Sequence, residues 1–277
     1  MTDTEMARSF LAPAQGYDAL MGRYLPTLGP AFADAAGIGP HQRVLDVGCG
    51  PGGLTRELVA RTGPGNVAAI EPSEPFGQAC RERNPGVDVR AGIAEDLPFA
   101  DAEFDAALAC LVVGFMSDAA AGIAEMARVT RPGGVVAACF WDLAHMQMLR
   151  RFWAGAAELA GAGRGEVGLL GSREGDLFAL LTGAGLTDVH EITIEARARY
   201  ENFEDWWNPL TLGIGPAGLY VRSLDDEQRR AVRDACRRQF TAPDEPFTLD
   251  ARAWCATGRR PSVSERAAPP ASRPAPE

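Results

Sequence analysis

Residues 44–61 read VLDVGCGPGGLTRELVAR. Val44, Leu45 and Val47 make a short apolar strand, with Asp46 near its end just before the first glycine. Glycines follow at 48, 50, 52 and 53. Leu54, Leu58 and Val59 then share one face of a helical pattern. A strand that runs through glycines into a helix predicts a turn whose backbone N–H groups face a ligand. Closely spaced glycines sacrifice backbone entropy with no packing gain, which disfavours a merely structural turn. Gly48-x-Gly50-x-x-Gly53 satisfies the dinucleotide fingerprint, a match that is weak evidence when it stands alone.

The chain around that turn alternates strand and helix. Downstream come a strand at 66–72 ending in Glu71, a helix from EPFGQACRERN, and a short strand in VDVRAGIAEDLPF. A buried strand at 104–113 and a helix at 119–130 follow, with Ile123 and Met126 facing inward. RPGG reads as a turn, and 135–141 as another apolar strand. Continuous apolar strands fit a sheet covered on both faces, and the alternation fits βαβ units. Upstream, 17–36 reads as helix broken by Pro26 and Pro30. Beyond 142 the pattern changes to helices at 146–160, in REGDLFALLTGAG and in DEQRRAVRDACRRQF, with strands in TDVHEITIEARARY and PFTLDARAWCATG. The aromatic stretch EDWWNPLTLGIG fits no single pattern. The Pro-, Ala-, Ser- and Arg-rich tail from about 258 reads as disordered.

Composition narrows the partners. The formal net charge is −10 and no long basic run is present, which argues against a nucleic-acid backbone and an anionic membrane surface. No stretch approaches the roughly 20 apolar residues of a membrane helix. The first residues lack the basic-then-apolar pattern of an export signal. These readings predict a cytoplasmic protein. The six cysteines are scattered without metal-ligand spacing, so no metal is expected and free thiols are. Lysine is absent while Arg, Ala and Gly abound, as in a high-GC bacterial genome.

Asp46 separates the possible ligands. A carboxylate before the first glycine would repel a pyrophosphate and suits a ligand bearing an ammonium group. The glycines also fit D-x-G-x-G-x-G, as Asp46, Gly48, Gly50 and Gly52. With Glu71, the AEDLPF loop (94–99), the FDAAL strand and the RPGG turn, the chain resembles the class I S-adenosylmethionine-dependent methyltransferases. It is most similar to the small-molecule type related to the ubiquinone and menaquinone methyltransferases. The resemblance covers about residues 15–142. It implies a doubly wound, Rossmann-like α/β fold: a mainly parallel seven-stranded sheet with an antiparallel last strand, and helices over the strand C-terminal ends.

The resemblance also implies roles. Gly48, Cys49 and Gly50 would lie against the methionine part of S-adenosylmethionine, with Asp46 near its ammonium group. Glu71 would accept from both ribose hydroxyls, and Pro72 and Ser73 would flank the adenine. Where the family often has Gly-Asp-Ala this chain has Gly92-Ile93-Ala94. The base must then be read by the backbone of Ala94 and the side chain of Glu95. Cys110 and Leu111 would face the sulfonium. Gly114 stands where a bulkier polar residue is frequent, a change expected to open the substrate pocket. Tyr17 and Arg23 match a pair that binds the cofactor carboxylate.

The chemistry needs little else. Alignment and water exclusion supply much of the rate of an in-line methyl transfer, and a base is required only if the acceptor loses a proton. His41 precedes the first strand and His190 lies in a later one. His145, after the fifth strand, is the candidate base, and Asp142 the second candidate. Trp141, Phe152, Trp153, Trp206 and Trp207 either line a pocket for an apolar or aromatic substrate or pack the core. The expected organisation is a helical cover (1–37), a cofactor-binding core (38–142), substrate-side helices and last strands (143–257) and a tail (258–277). A homodimer stays open. Rival readings are a non-methylating S-adenosylmethionine binder, a methyltransferase acting on protein, and an NAD-dependent oxidoreductase. The last is disfavoured because no Tyr-x-x-x-Lys relay exists.

Overall fold

The computed structural model describes residues 14–159 and 168–262. Among the described residues the strands are β1 (Val44–Val47), β2 (Val67–Glu71), β3 (Asp88–Ala91), β4 (Phe104–Cys110), β5 (Thr130–Trp141), β6 (Thr187–Tyr200) and β7 (Phe247–Arg259). They form one sheet in the order β3-β2-β1-β4-β5-β7-β6. β1 to β5 pair in parallel, and β7 runs antiparallel to both of its neighbours. The mainly parallel seven-stranded sheet with an antiparallel last strand is therefore present. After β1 the chain builds β2 and β3 on one side, then crosses to β4 on the other. That reversal opens a crevice between the carboxyl ends of β1 and β4, where open α/β sheets bind ligands.

Helices cover both faces. The short helix α1 (Ala14–Leu20) and the helix α2 (Leu25–Ala35) precede β1. α3 (Gly53–Thr62) and α4 (Glu74–Arg83) follow β1 and β2, and α5 (Ala119–Val129) follows β4. Later come α6 (Gln147–Ala156), α7 (Asp176–Gly183), α8 (Phe203–Trp207), α9 (Gly215–Ser223) and α10 (Asp226–Arg237). Ile123 and Met126 of α5 are fully buried. β1 and β2 are buried at every position, because both faces carry helices. One core joins α2, α6, the β6–β7 ribbon and the aromatic segment; the other lies beneath α5 and α7.

Three local expectations are corrected. Pro30 lies inside α2 without ending it, while Pro26 sits in its first turn, where no backbone N–H is needed. The RPGG segment lies within the span of β5; Thr130 pairs with Phe104, and the register then shifts before Val135. The last strand reaches Arg259, and the Arg260 N–H donates to the Gly134 carbonyl, so order extends past 258. Residues 263–277, the rest of the expected tail, lie outside the described residues, as do 1–13 of the expected cover and Ala160.

Trp141, Phe152, Trp206 and Trp207 are buried in the first core, with Trp153 packed against it. Their rings meet neighbouring aromatics at van der Waals range: Trp141 against Tyr24, Phe152 against Trp153 and Trp206 against Phe203. Of the two readings left open for these residues, core packing is the one the structure has.

Candidate active site

The glycine loop is held open by left-handed backbone. Gly48 has φ of 70° and Gly50 of 54°, a region that side-chain-bearing residues rarely enter. The two glycines serve different ends. A Cβ on Gly48 would lie 2.6 Å from a Val112 methyl, so the β1 loop and the segment after β4 touch only because Gly48 has none. A Cβ on Gly50 would meet nothing within 4 Å, because it would point into open space. That space is a cleft of about 560 Å³.

The β1 strand delivers Asp46 to this cleft. Asp46 pairs with Ala69 and Leu108 in the middle of the sheet and is fully buried. Its Oδ2 accepts from the Thr55 hydroxyl at 2.6 Å, while its Oδ1 is buried without a hydrogen-bond partner. Burial pushes its pKa up to about 7. An orphaned carboxylate oxygen in a cleft is costly unless a donor arrives there. Glu71 at the end of β2 is also buried. Its Oε2 accepts from the Gly50 N–H at 2.9 Å and its Oε1 from the Ser73 N–H at 3.0 Å. Burial raises its pKa, and those two backbone donors act against the rise. Each oxygen keeps a further lone pair for a ligand hydroxyl.

Eight of the candidate cofactor-binding residues line the cleft: Tyr17, Arg23, Asp46, Gly48, Cys49, Gly50, Cys110 and Leu111. Leu111 has φ of 63°, a left-handed conformation that is strained for a branched side chain, and its N–H donates to the Cys139 carbonyl. Glu71 borders the cleft through Gly50. Pro72, Ala94 and Glu95 lie outside its lining. The Glu95 carboxylate accepts from the N–H groups of Ser117 and Asp118 ahead of α5, so one of its oxygens already serves the fold. Ile93 is half exposed.

Gly114 does not open a pocket. A Cβ there would sit 2.5 Å from the Phe140 ring, so the missing side chain makes room for that ring. Sequence reasoning also missed several lining residues: Asp18, Arg56 and Arg83. Arg83 of α4 grips Asp18 of α1 at 2.7 Å, tying the cover to the cleft wall. Thr55, nine residues past Asp46, was legible only as a small polar residue on the inner face of α3.

His145 and Asp142 form a cluster of their own. Asp142 Oδ2 is 2.8 Å from His145 Nδ1 and accepts from Arg252 Nε at 2.8 Å. Burial works to raise the Asp142 pKa, and Arg252 and His145 outweigh it and hold it below the usual carboxylate value. Along β5, Cys139 and Trp141 face the first core and Phe140 the second, so strand alternation puts Asp142 on the Phe140 side. Asp46 and Cys110 belong to the opposite side. Neither His145 nor Asp142 lines the cleft.

A family described as a methyltransferase domain matches residues 45–138. That span runs from β1 to β5 and includes both walls of the crevice. Residues 45–138 carry a methyltransferase domain. A demethylmenaquinone methyltransferase of Mycobacterium sp. (strain KMS) is 44% identical over 105 residues, 38% of this chain and 44% of the relative. An uncharacterised protein of Mycobacterium tuberculosis is 36% identical over 132 residues, 46% of this chain and 48% of that protein. The matching stretch thus spans less than half the length of these relatives. The fold matches phosphoethanolamine N-methyltransferase 2 of Haemonchus contortus, solved with phosphomonomethylethanolamine and S-adenosylhomocysteine. There the TM-score is 0.53 at 14% identity, covering 85% of this chain and 52% of that one. Among the described residues, no helix is long and apolar enough to cross a membrane. Nor is any group of three or more His, Cys, Asp or Glu among them placed to hold a metal ion.

Proposed function

We propose that this chain is an S-adenosylmethionine-dependent methyltransferase acting on a small molecule, transferring the methyl group by in-line displacement. The observation that carries the reading is Asp46: a buried carboxylate with one unpartnered oxygen, set in a cleft floored by the glycine loop. An ammonium group supplies the donor that oxygen lacks, whereas a pyrophosphate would meet a negative charge.

The residues present fit the cofactor. Asp46 would face the ammonium end, Gly48, Cys49 and Gly50 would accommodate the methionine chain, and Glu71 would take the ribose hydroxyls on its remaining lone pairs. Pro72, Ala94 and Glu95 are proposed along the adenine, with Tyr17 and Arg23 of the cover closing the cleft. Bound S-adenosylmethionine would supply a methyl group on a positively charged sulfur. Cys110 and the strained Leu111 shape the wall at the end of β4 and exclude water there. His145, oriented by Asp142, is proposed as proton acceptor only for acceptors that must lose a proton and that extend past the end of β5, since the pair does not line the cleft. Its Nδ1 lies 2.8 Å from Asp142 and 2.7 Å from the Arg252 guanidinium. Only the tautomer with hydrogen on Nδ1, donating to Asp142, leaves Nε2 free to receive a proton.

Calorimetric titration with S-adenosylhomocysteine, with NAD in parallel, tests the cofactor assignment. Micromolar binding of the first alone supports it, and binding of NAD alone turns the reading to an oxidoreductase. A wider test follows for the acceptor: incubation with radiolabelled S-adenosylmethionine and small quinols, phenols and amines. Transfer only to protein substrates would sink the small-molecule reading.

A further inference from the structure

The proposed cofactor carries a carboxylate beside its ammonium group, and the cleft must answer both charges. Lysine is absent from the chain, and three arginines line the cleft: Arg23, Arg56 and Arg83. Two of them are already committed. Arg23 donates through Nε to the Ala19 carbonyl at 2.6 Å and through Nη1 to the Arg199 carbonyl at 3.1 Å. It also clamps both oxygens of Asp205, at 3.2 and 3.0 Å, and its guanidinium lies 4.2 Å over the Tyr200 ring. Arg83 holds both oxygens of Asp18 and donates to the Pro51 carbonyl. Releasing either would break a tie between the cover and the body.

The Arg56 side chain has no hydrogen bond or ion pair among the described residues, and the residue is exposed at the cleft. It follows Thr55, whose hydroxyl binds Asp46, so one helix turn sets a cation next to the residue that steadies the buried carboxylate. A zwitterion needs a cation and a carboxylate facing one cleft, and Arg56 and Asp46 both line this one. The start of α3 adds to this, because its N-cap is Gly52 and provides no side-chain acceptor for the first N–H groups.

We propose that Arg56, rather than Arg23, binds the carboxylate at the methionine end of the cofactor. The inference rests on the S-adenosylmethionine reading given above. Arg23 then serves as a clamp that seats the cover over the cleft. Because Arg56 is exposed, its contribution also weakens as salt rises.

The test compares S-adenosylmethionine with its decarboxylated form, which keeps the sulfonium and the ammonium but lacks the carboxylate. Affinities are measured by calorimetry for the wild type, Arg56→Ala, Arg56→Lys and Arg23→Ala, with thermal melts to check folding. Arg56→Ala is expected to weaken S-adenosylmethionine at least tenfold and to leave the decarboxylated form within twofold of the wild type. Arg56→Lys should recover part of the loss, and Arg23→Ala should weaken both ligands by a similar factor. Equal losses for both ligands in Arg56→Ala, no loss at all, or a selective loss in Arg23→Ala would overturn the assignment. A wild type that binds neither ligand would remove the cofactor reading and this inference together. A wild type that binds S-adenosylmethionine without selectivity in Arg56→Ala removes only the inference.

Discussion

Asp46 sits at about 7 in the folded protein, against 3.8 for an ordinary aspartate. The folded state therefore holds its proton more tightly than the unfolded chain between those values, and the contribution of Asp46 to stability falls as pH rises through that window. Asp46→Asn should flatten that slope in melts recorded from pH 4.5 to 7. A ligand ammonium would favour the charged carboxylate, so binding should expel a proton near and below pH 7, and affinity should climb with pH up to that value. Titrations with S-adenosylhomocysteine at pH 6.5 in phosphate and in Tris should give different apparent enthalpies, and Asp46→Asn should erase the difference. Equal enthalpies in the wild type would contradict the ammonium contact. Glu71→Ala should weaken the same ligand by about 1–3 kcal/mol, the range for charged hydrogen bonds, and unchanged affinity would sink the ribose role. The acidic pair was legible in the sequence because its spacing around the glycines is local. The orphaned Asp46 oxygen was not, since it depends on which way Thr55 and the neighbouring strands leave that atom.

The cover helices and the loop after β4 show how far element boundaries reach into the site. The Arg23–Asp205 clamp joins the turn after α1 to α8, across 182 residues of chain. Asp205→Ala should cost about 1 kcal/mol or less, since both groups keep some solvent contact, and should lower Tm by a few degrees. An unchanged melt would mean that the Ala19 and Arg199 carbonyls and the Tyr200 ring suffice to fix Arg23. Gly114→Ala should cost about 1–3 kcal/mol through overpacking against Phe140, and adding Phe140→Leu should recover much of it. Full stability in the single variant would show that the loop yields. The pattern of apolar strands gave away β1, β2, β4 and β5, and the alternation in TDVHEITIEARARY matched β6 over its whole length. The segment EDWWNPLTLGIG resisted reading because it packs two short helical turns whose aromatic residues face several partners at once. Gly114 was misread for a related reason: a glycine's cause lies in the atom that fills its space, and Phe140 is 26 positions away.

The sheet as a whole unites residues distant in sequence, and β7 is its hinge of construction. It lies between β5 and β6, and both of those precede it in the chain. The βαβ rhythm implied parallel pairing among the first five strands but not their order, because right-handed crossovers allow a new strand on either side of β1. No local signal could tell that the final strand would slot inside rather than outside β6; that depends on long-range antiparallel pairing. This arrangement bears on synthesis, which proceeds from the N-terminus. On the ribosome the cofactor-binding half can close around β1 and β4 while β6 has nothing to pair with and β5 shows a bare edge. Such edges invite pairing with other chains. Nascent chains halted near Arg237 should therefore recruit chaperones, and those extended past Arg259 by enough residues to clear the exit tunnel should release them.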